Sequence, residues 1–559
     1  MKRTIKYQHE FVKLVAAIIF AVGFSPFGSF SQKFDVFHVE PNPDALVIIT
    51  PAFLDNPQPG DTICLIAGDY YQLFVFDIHG SDEYPIVIRN CGGKVTIHNN
   101  VNYGIALHNC SHIRLLGAGS SDYDYGIAIA GTTGNGISVD KKSTNIEIAF
   151  VEVGNTGMSG MMFKSDPTCT DFSVVRDSFA LHEVNIYSNY IYNTGNEGIY
   201  IGSSYYMGFP LNCDGFDTIV LPHEVIGVNI FNNILEQTGR NSIQVSSAPS
   251  RCYIYNNYIS KDSEKAIFQH MNGIQVGGGS CCDVFNNMIL DGKGSGIHYF
   301  GTGPARLFNN LIVNPGRTHF PELPYNMHPV HGIFIKHIYS DNQYPIHVLH
   351  NTIVNPKTNG VVFNNEEAAK SRIQNNIVIN PGGFDFVPDK AFINPIPPEI
   401  PLIVSHNFFD SDSVNIMFNS AYSHDYSPSP FSPVINAGIS LDELSISFDI
   451  MNAPRPFGAA PDIGAFEYQS LVPLIPGENH QIFIYPNPAS DEIRFRYEKQ
   501  INKIHRIDLY DFLGRKIMSI DDEMICPNIV IPISHLSSGF YHMVILSGET
   551  RVKTSFIKL

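Results

Sequence analysis

The chain is poor in charge, and the charge it has is mostly of one sign. Only 16% of its 559 residues are charged, and 35 Lys and Arg stand against 53 Asp and Glu, a formal net charge of −18. Such an acidic chain is not attracted to a polyphosphate backbone, so we predict that it does not bind nucleic acid. Tryptophan is absent, but 39 Phe and 27 Tyr are typical of a β-rich extracellular protein.

Cysteine is scarce and forms no metal-binding pattern. The nine cysteines include no CxxC motif, and no histidine-rich spacing accompanies them, so we predict no metal site from them. Ca²⁺ bound by acidic loop residues is left open as a cofactor. Cys169 and Cys213 lie at the mouths of two long insertions, and we expect a disulfide between them. Burial of most cysteines as thiols in a β-rich core is the alternative, and the odd count leaves at least one unpaired.

Long hydrophobic runs are absent except near the start of the chain. Lys and Arg precede the eleven apolar residues Leu14–Phe24, and Ser29 and Ser31 occupy the −3 and −1 positions of a cut before Gln32. This pattern predicts a secretory signal peptide over residues 1–31 rather than a membrane anchor, because the run is too short for a comfortable span.

A phrase with the form apolar, x, Asn or similar, Asn, apolar recurs through the middle of the chain. Its spacing defines a unit of about two dozen residues with insertions of variable length. We expect each Asn to occupy a tight left-handed corner and to bond to the equivalent Asn of the next unit. The ladder residues are Asn189, Asn233, Asn257, Asn287, Asn310, Asn351, Asn376 and Asn407.

A second ladder, of one small residue followed by apolar, any, apolar, runs in step with the first. Two short segments with period 2 in each unit indicate strands, and a unit of this size buries its apolar side only by stacking on its neighbours. The sequence therefore predicts an all-β fold, a parallel β-solenoid over residues 40–410. A β-sandwich with many Asn turns is the weaker alternative. The small residues are Gly104, Gly136, Gly160, Gly198, Ser242, Gly273, Gly296, Gly332 and Gly360.

The opening of the predicted solenoid carries a family resemblance. The segment Pro59–Ile97 contains GDTI, an apolar strand, GDY and GSDEYPIVIR. It resembles the first coils of right-handed parallel β-helix proteins of the chondroitinase B, alginate lyase and pectate lyase-like kind. The resemblance implies a right-handed parallel β-helix and leaves the substrate undefined.

Three further segments follow the repeats. SPSPFSPVINAGIS and NAPRPFGAAPDIGAFEY resemble the closing segment of secreted bacterial β-helix proteins, and we expect residues 411–470 to cap the open end of the solenoid. Residues 471–480 are predicted to form a linker. YPNPAS, LYDFLGRKI, LSSGFYHM and KTSFIKL in residues 481–559 resemble the type A C-terminal sorting domain of the type IX secretion system, a small β-sandwich. That resemblance implies the secretion machinery as a partner and delivery, after Sec export, to the surface of a Gram-negative cell or to the medium.

The outward positions of the second ladder suggest a binding surface. The position two residues after the small residue gives Tyr200, Gln244, Gln275 and His298 in one column. Amides, a stacking ring and a few charges suit a glycan surface, although a solvated sheet face is equally polar. We predict substrate contacts from Tyr200, Gln244, Gln275, Asn241 and Asn272.

The charged residues nearest the two long insertions are the candidate catalytic groups. A uronate lyase needs cations for the carboxylate and a base for the neighbouring proton, whereas a glycoside hydrolase needs two carboxylates. The Asp-Asp and Gly-His-Gly phrases of β-helical pectin hydrolases are absent from residues 40–410, which favours a lyase if the protein is an enzyme. We predict a monomer that binds, and in the stronger form of the hypothesis cleaves, an acidic extracellular polysaccharide. The alternative is a noncatalytic surface adhesin or a structural β-helix protein. The candidates are Lys164, Glu197, Arg240 and His298.

Overall fold

The computed structural model describes two stretches of the chain. The first is residues 34–469 apart from 121, 319–329, 337–343, 367–369, 383–389 and 422–423. The second is residues 482–558 apart from 486–488, 490, 498–503, 512–515, 526–529, 537–538 and 548–549. The predicted signal peptide and linker, and Cys526, lie outside the described residues.

One face of the solenoid is a parallel sheet of 12 strands in the described residues, here called the front sheet. Each coil contributes one strand, and strand alternation sends every second side chain into the interior. Ile199 and Ile201, for example, are fully buried while Tyr200 between them is not. The strands are Leu46–Ile49, Gln72–Phe76, Tyr103–His108, Asn135–Asp140, Met161–Phe163, Ile199–Ile201, Ile243–Val245, Asn272–Val276, Ser295–Tyr299, Ile333–Lys336, Val361–Asn364 and Ile393–Pro395.

The remaining coil strands form a second parallel sheet, the back sheet, of 23 strands in the described residues. Most coils contribute two strands to it, separated by the corner that carries the ladder Asn. The strands are Val36–Val39, Thr62–Tyr70, Ile86–His98, Ser111–Leu116, Ile127–Ala130, Thr144–Ala149, Val151–Thr156, Ala180–Tyr187, Tyr190–Thr194, Glu224–Phe231, Ile234–Glu236, Ser250–Tyr255, Tyr258–Ser260, Cys282–Phe285, Met288–Leu290, Ala305–Phe308, Leu311–Val313, Ile346–Leu349, Thr352–Val354, Arg372–Gln374, Ile377–Ile379, Ile403–Ser405 and Phe408–Asp410.

The predicted asparagine ladder is present. Asn233 Nδ2 donates to Asn257 Oδ1 at 3.0 Å, and the backbone N–H of Asn233 donates to the same oxygen at 3.1 Å. The amide of Asn189 bonds to Asn233 in the same way, and the pattern continues to Asn407. These side chains are buried or nearly so, and their polar atoms find partners in the neighbouring coils.

The predicted left-handed corner is displaced by one residue. Positive φ occurs at the residue before each ladder Asn, for example Asn232 with φ 55 and Asn286 with φ 55, and not at Asn233 or Asn287. One residue therefore turns the chain and the next makes the ladder, and the expectation that a single Asn does both is wrong. Glycine is required in the second ladder by lack of space and not by a left-handed backbone. A Cβ on Gly198 would lie 2.6 Å from the carbonyl oxygen of Ser242.

Three insertions flank the front sheet, numbered here in chain order. The first insertion (164–179) follows the front-sheet strand Met161–Phe163, and the second (202–223) follows Ile199–Ile201 and contains the hairpin of Phe209–Cys213 with Phe216–Val220. The third (261–271) precedes Asn272–Val276. The first two fall in the two long intervals of the glycine ladder.

Three disulfides are present among the described residues. Cys169 bonds to Cys213, as the sequence predicts, and joins the first insertion to the second. The pairs Cys64–Cys91 and Cys252–Cys282 each join neighbouring coils. Cys110 and Cys281 are free.

The described part of the segment after the last coil lies against the back sheet. Its strands Phe418–Ser420 and Asp425–Pro428 and the 3-10 helix Asp442–Leu444 are followed by irregular chain. Its apolar side chains pack against the outward side of the back sheet, on residues such as Leu311 and Ile379. The open end is left with interior-column side chains of the last coil in contact with solvent: Val404 is 46% exposed.

The C-terminal region is a pair of antiparallel sheets around a core of its own. One sheet contains Ile482–Tyr485, Glu492–Tyr497 and Val530–Pro532, and the other contains Lys516–Ile525, Ile504–Asp511, Gly539–Ser547 and Thr550–Lys558. Alternating apolar residues such as Ile507, Leu509, Met543 and Ile545 form that core.

Candidate functional site

The outward column predicted from the second ladder exists in the front sheet. Met162 pairs with Tyr200, Tyr200 with Gln244, Gln244 with Gln275, and Gln275 with His298. Because neighbouring parallel strands lie about 4.8 Å apart, side chains of consecutive coils touch along this column. The ladder spacing alone therefore places these residues correctly on one face.

The predicted substrate-binding amides form a closed network beneath that face. Asn272 Nδ2 donates to Asn241 Oδ1 at 2.9 Å and to Gln275 Oε1 at 2.9 Å, and Asn241 Nδ2 donates to Gln244 Oε1 at 2.8 Å. Gln244 Nε2 in turn donates to Ser204 Oγ at 2.8 Å. All four amide side chains are buried. The network makes a rigid floor, and most of its hydrogen-bonding capacity is already used.

Glu197 is the buried centre of a charged cluster at one edge of the floor. Its side chain is 4% exposed, Ser159 Oγ donates to Oε2 at 3.1 Å, and Arg240 Nη1 lies 3.7 Å from Oε1. His270 Nδ1 lies 4.0 Å from the same Oε1. Burying a carboxyl group is unfavourable unless it has polar or charged partners, and Arg240, His270 and Ser159 surround Glu197 in that role.

The third insertion brings His270 to this cluster. The backbone N–H groups of Ser263, Glu264 and Lys265 donate to carbonyl oxygens of the turn that contains Arg240. Burial, and then the charge of Arg240, lower the pKa of His270 against the opposing effect of Glu197. The imidazole is therefore neutral at neutral pH and able to accept a proton.

Lys164 and Tyr200 lie on the neighbouring coils at the other edge of the face. Lys164 Nζ is 2.7 Å from Asp166 Oδ2 and 5.3 Å from the centre of the Tyr200 ring. Burial acts to lower the pKa of Lys164, but Tyr200, Asp166 and Glu197 together raise it. Lys164 is therefore a fixed cation, and Tyr200 Oη is within 2.9 Å of Ser204 Oγ.

The structure does not bring His298 into this group. Two front-sheet strands separate it from the strand of Tyr200, which puts it about 14 Å away at the usual strand spacing. Its ring packs between Phe300 and Phe334, with centroids 3.7 Å and 4.5 Å away. Burial, then the charges of His331 and Lys336, lower its pKa well below the usual value.

Two members of the cluster, His270 and Ser159, are not among the catalytic candidates selected from the sequence. Ser159 stands immediately before Gly160 of the second ladder, as Glu197 stands before Gly198, and the backbone pairing places the two in one row. Reading that row over all coils would have found it. In the described residues no group of three or more His, Cys, Asp and Glu is arranged to hold a metal ion.

Comparisons with known proteins agree with this architecture. A model of the right handed beta helix region matches residues 218–390, and a model of the secretion system C-terminal sorting domain matches residues 483–558. The chain is thus an all-β protein with a right-handed parallel β-helix and a C-terminal sorting domain, as the sequence predicts. The sorting domain directs it through type IX secretion to the cell surface or the medium. None of the described helices has the length and apolar character needed to cross a membrane.

Solved structures with this fold resemble the chain only distantly. Pectate lyase Pel9A is 14% identical over 78% of this chain and 97% of its own, with a TM-score of 0.38. An alginate lyase from Paenibacillus sp. str. FPU-7 is 14% identical over 67% of this chain and 99% of its own, with a TM-score of 0.33. The A-module of Azotobacter vinelandii mannuronan C-5 epimerase AlgE4 is 10% identical over 63% and 88%, with a TM-score of 0.33. No curated protein matches the sequence.

Proposed function

We propose that the front face binds an acidic extracellular polysaccharide and cleaves it by β-elimination beside Glu197. The observation that carries this proposal is the pairing of a neutral imidazole with a guanidinium at one edge of the face. The side chains of His270 and Arg240 are 39% and 29% exposed, above a buried Glu197. A base and a cation side by side are what proton removal next to a carboxylate requires.

Each group has a role that its surroundings support. His270 takes the proton from the carbon next to the uronate carboxylate, and Arg240 stabilises the negative charge that develops on that carboxylate. The bond from the next carbon to the glycosidic oxygen breaks as a carbon–carbon double bond forms, and the departing oxygen takes a proton. Lys164, which is protonated and next to Tyr200, supplies that proton or holds a neighbouring carboxylate. Glu197 is a positioning residue.

A noncatalytic glycan-binding surface is the second candidate. The observation in its favour is that Lys164 is already paired with Asp166 and that the amide floor is closed on itself. Such a face binds a polymer by shape and by a few contacts without changing it.

One experiment separates the two candidates. The purified secreted protein is incubated with a panel of acidic polysaccharides, and the ultraviolet absorbance of the new conjugated double bond is followed together with retention on immobilised glycan. We expect absorbance to rise with one of them, and His270→Ala and Arg240→Ala to abolish the rise. His298→Asn is the matched control on the same sheet and retains turnover. Retention without any product favours the adhesin, and unchanged turnover in both variants refutes the assigned base and cation.

A further inference from the structure

A cluster of buried polar atoms without hydrogen-bond partners lies on the front sheet, apart from the Glu197 cluster. Both ring nitrogens of His108, the hydroxyl of Ser138 and Oδ1 of Asp140 are buried and make no hydrogen bond. His108 Nε2 and Asp140 Oδ1 lie 3.3 Å apart without hydrogen-bond geometry. Ser138 is fully buried and His108 is 7% exposed. Burying such groups without partners is unfavourable, so their clustering indicates a site that a ligand completes.

Aromatic rings surround this cluster. The ring of His108 stacks on Phe74 at 5.6 Å and meets Phe76 edge-on at 4.8 Å, and Phe74 also contacts Tyr103 at 6.3 Å. Phe74 belongs to the outward column and is separated from Ser138 by the small residue Ala106. A ring face next to polar atoms is the usual composition of a site for an amphipathic ligand.

The charges at this place favour hydroxyl groups over carboxylates. Burial, and then the charge of Lys141, lower the pKa of His108 to about 4, so the imidazole is neutral. Burial raises the pKa of Asp140 to about 6, and the charge of Asp166 acts in the same direction. The charge of Lys141 and the nearby hydroxyl of Ser138, which lies outside good hydrogen-bond geometry, lower it. Lys141 is thus the cation that bears on both groups, and Asp140 is an acceptor at neutral pH. A neutral ring, a hydroxyl and a carboxylate bind sugar hydroxyls and disfavour an anion, so a sugar unit bound here directs its hydroxyl groups to these side chains and its carboxylate away from them.

We infer that His108, Ser138, Asp140 and Phe74 form a second sugar subsite, which binds the hydroxyl groups and one apolar face of another unit of the same polysaccharide. The inference rests on the proposed function. The two subsites lie on one column, Ser138 to Met162 to Tyr200, which is two strand steps or about 10 Å. One sugar unit at Tyr200 does not reach Ser138, so only longer oligosaccharides occupy both.

Chain length is therefore the variable to test. Oligosaccharides of increasing length, prepared from the polysaccharide that the panel identifies, are compared as substrates for the parent, Ser138→Ala and Asp140→Asn. We expect KM for long oligosaccharides to rise about threefold to tenfold in each variant, the loss of one or two hydrogen bonds, with KM for the shortest unchanged. His182→Ala is the control, because His182 is exposed on the back sheet, and it changes KM neither for long oligosaccharides nor for the shortest.

Two readouts separate binding from a structural role. Ser138→Ala removes an unpartnered buried hydroxyl, so without glycan it melts at the same or a higher temperature than the parent, whereas a structural hydroxyl would make it melt lower. The ¹³C-labelled imidazole signal of His108 shifts with long oligosaccharides and not with the shortest. Equal KM changes at all lengths, or no shift of the His108 signal, overturn the subsite while the proposed function stands. If the parent neither binds nor cleaves any acidic glycan, both are overturned.

Discussion

The guanidinium of Arg176 stacks on the ring of Tyr206, 4.0 Å from the ring centre, and the ring also lies against Gly279. Arg176 belongs to the first insertion, Tyr206 to the second, and Gly279 to the loop after the front-sheet strand Asn272–Val276. This stack and the Cys169–Cys213 disulfide connect three separate segments beside the front face. The position of the insertions thus depends on contacts outside the repeat.

The first prediction concerns Gly279. Its φ is 72 and a Cβ there would lie 2.2 Å from Tyr206 Cδ2, so Gly279→Ala must displace the ring. Gly215→Ala is a matched control, because Gly215 also has positive φ, 84, but nothing lies within 4 Å of the added carbon. In both variants the left-handed backbone conformation lowers the free energy of unfolding by about 1–2 kcal/mol. Only Gly279→Ala is expected to lower glycan binding, measured by titration calorimetry, and equal binding in both would refute the role of the stack.

The second prediction separates the two asparagines of one corner. Asn287→Leu removes the amide that accepts from Asn257 and donates to Asn310, and leaves buried polar groups unpaired. We expect a loss of unfolding free energy on the order of 3 kcal/mol. Asn286→Gly keeps the positive φ of 55 at no steric cost, so we expect it to change the free energy of unfolding by less than about 1 kcal/mol. Denaturant melts measure both, and equal losses would show that the ladder adds nothing beyond the turn.

The repeat explains how much of the fold the sequence predicts. A residue two places after each small ladder residue must face outward, because strands alternate and the coils stack in register. The column from Met162 to His298 follows from that rule, and the ladder from Asn189 to Asn407 follows from the in-register stacking of the coils.

The remaining features depend on contacts that no repeat encodes. The approach of His270 to Glu197 requires the third insertion to bond to the turn of Arg240, and the spacing of Gly residues carries no information about that path. The positive φ falls on Asn286 rather than Asn287 because the ladder amide needs its own backbone N–H directed along the stack. The segment after the last coil packs on outward-facing apolar side chains such as those of Leu311 and Ile379. In the sequence these residues cannot be distinguished from the apolar residues that face the interior.

The third prediction is a shift in the pH dependence of His270. Glu197 raises the pKa of His270 while burial and Arg240 lower it. Glu197→Gln removes the raising charge, so the pKa falls further and the base is free at lower pH. If turnover requires neutral His270, the acid limb of the kcat/KM profile moves to lower pH in the variant. NMR titration of the imidazole gives the pKa directly, and a limb that stays in place while the pKa moves would show that His270 is not the base.

A third titratable cluster joins the segment after the last coil to the back sheet. Arg455 is buried with Nε 3.1 Å from Glu467 Oε2, and its Nη1 lies 3.4 Å from Asn309 Oδ1. Burial raises the pKa of Glu467 to about 7 and that of Asp449 to about 6, against the lowering effect of Arg455. Burial likewise raises the pKa of Asp462 and, followed by Arg455, lowers that of His350. One buried cation therefore faces three buried carboxyl groups.

The fourth prediction is that this attachment weakens as pH rises. A carboxyl whose folded-state pKa lies above its unfolded value adds stability that is complete below the unfolded pKa, about 4, and is lost as pH rises through the folded value. The protection of residues 434–467 against amide exchange, corrected for intrinsic rate, should fall between pH 5 and 8 by roughly 1–3 kcal/mol. Glu467→Gln flattens this dependence. Glu443→Gln is the matched control in the same segment, since Glu443 is exposed and its pKa is lowered by Arg372, and it leaves the slope unchanged. A slope that survives Glu467→Gln would assign the pH dependence to other groups.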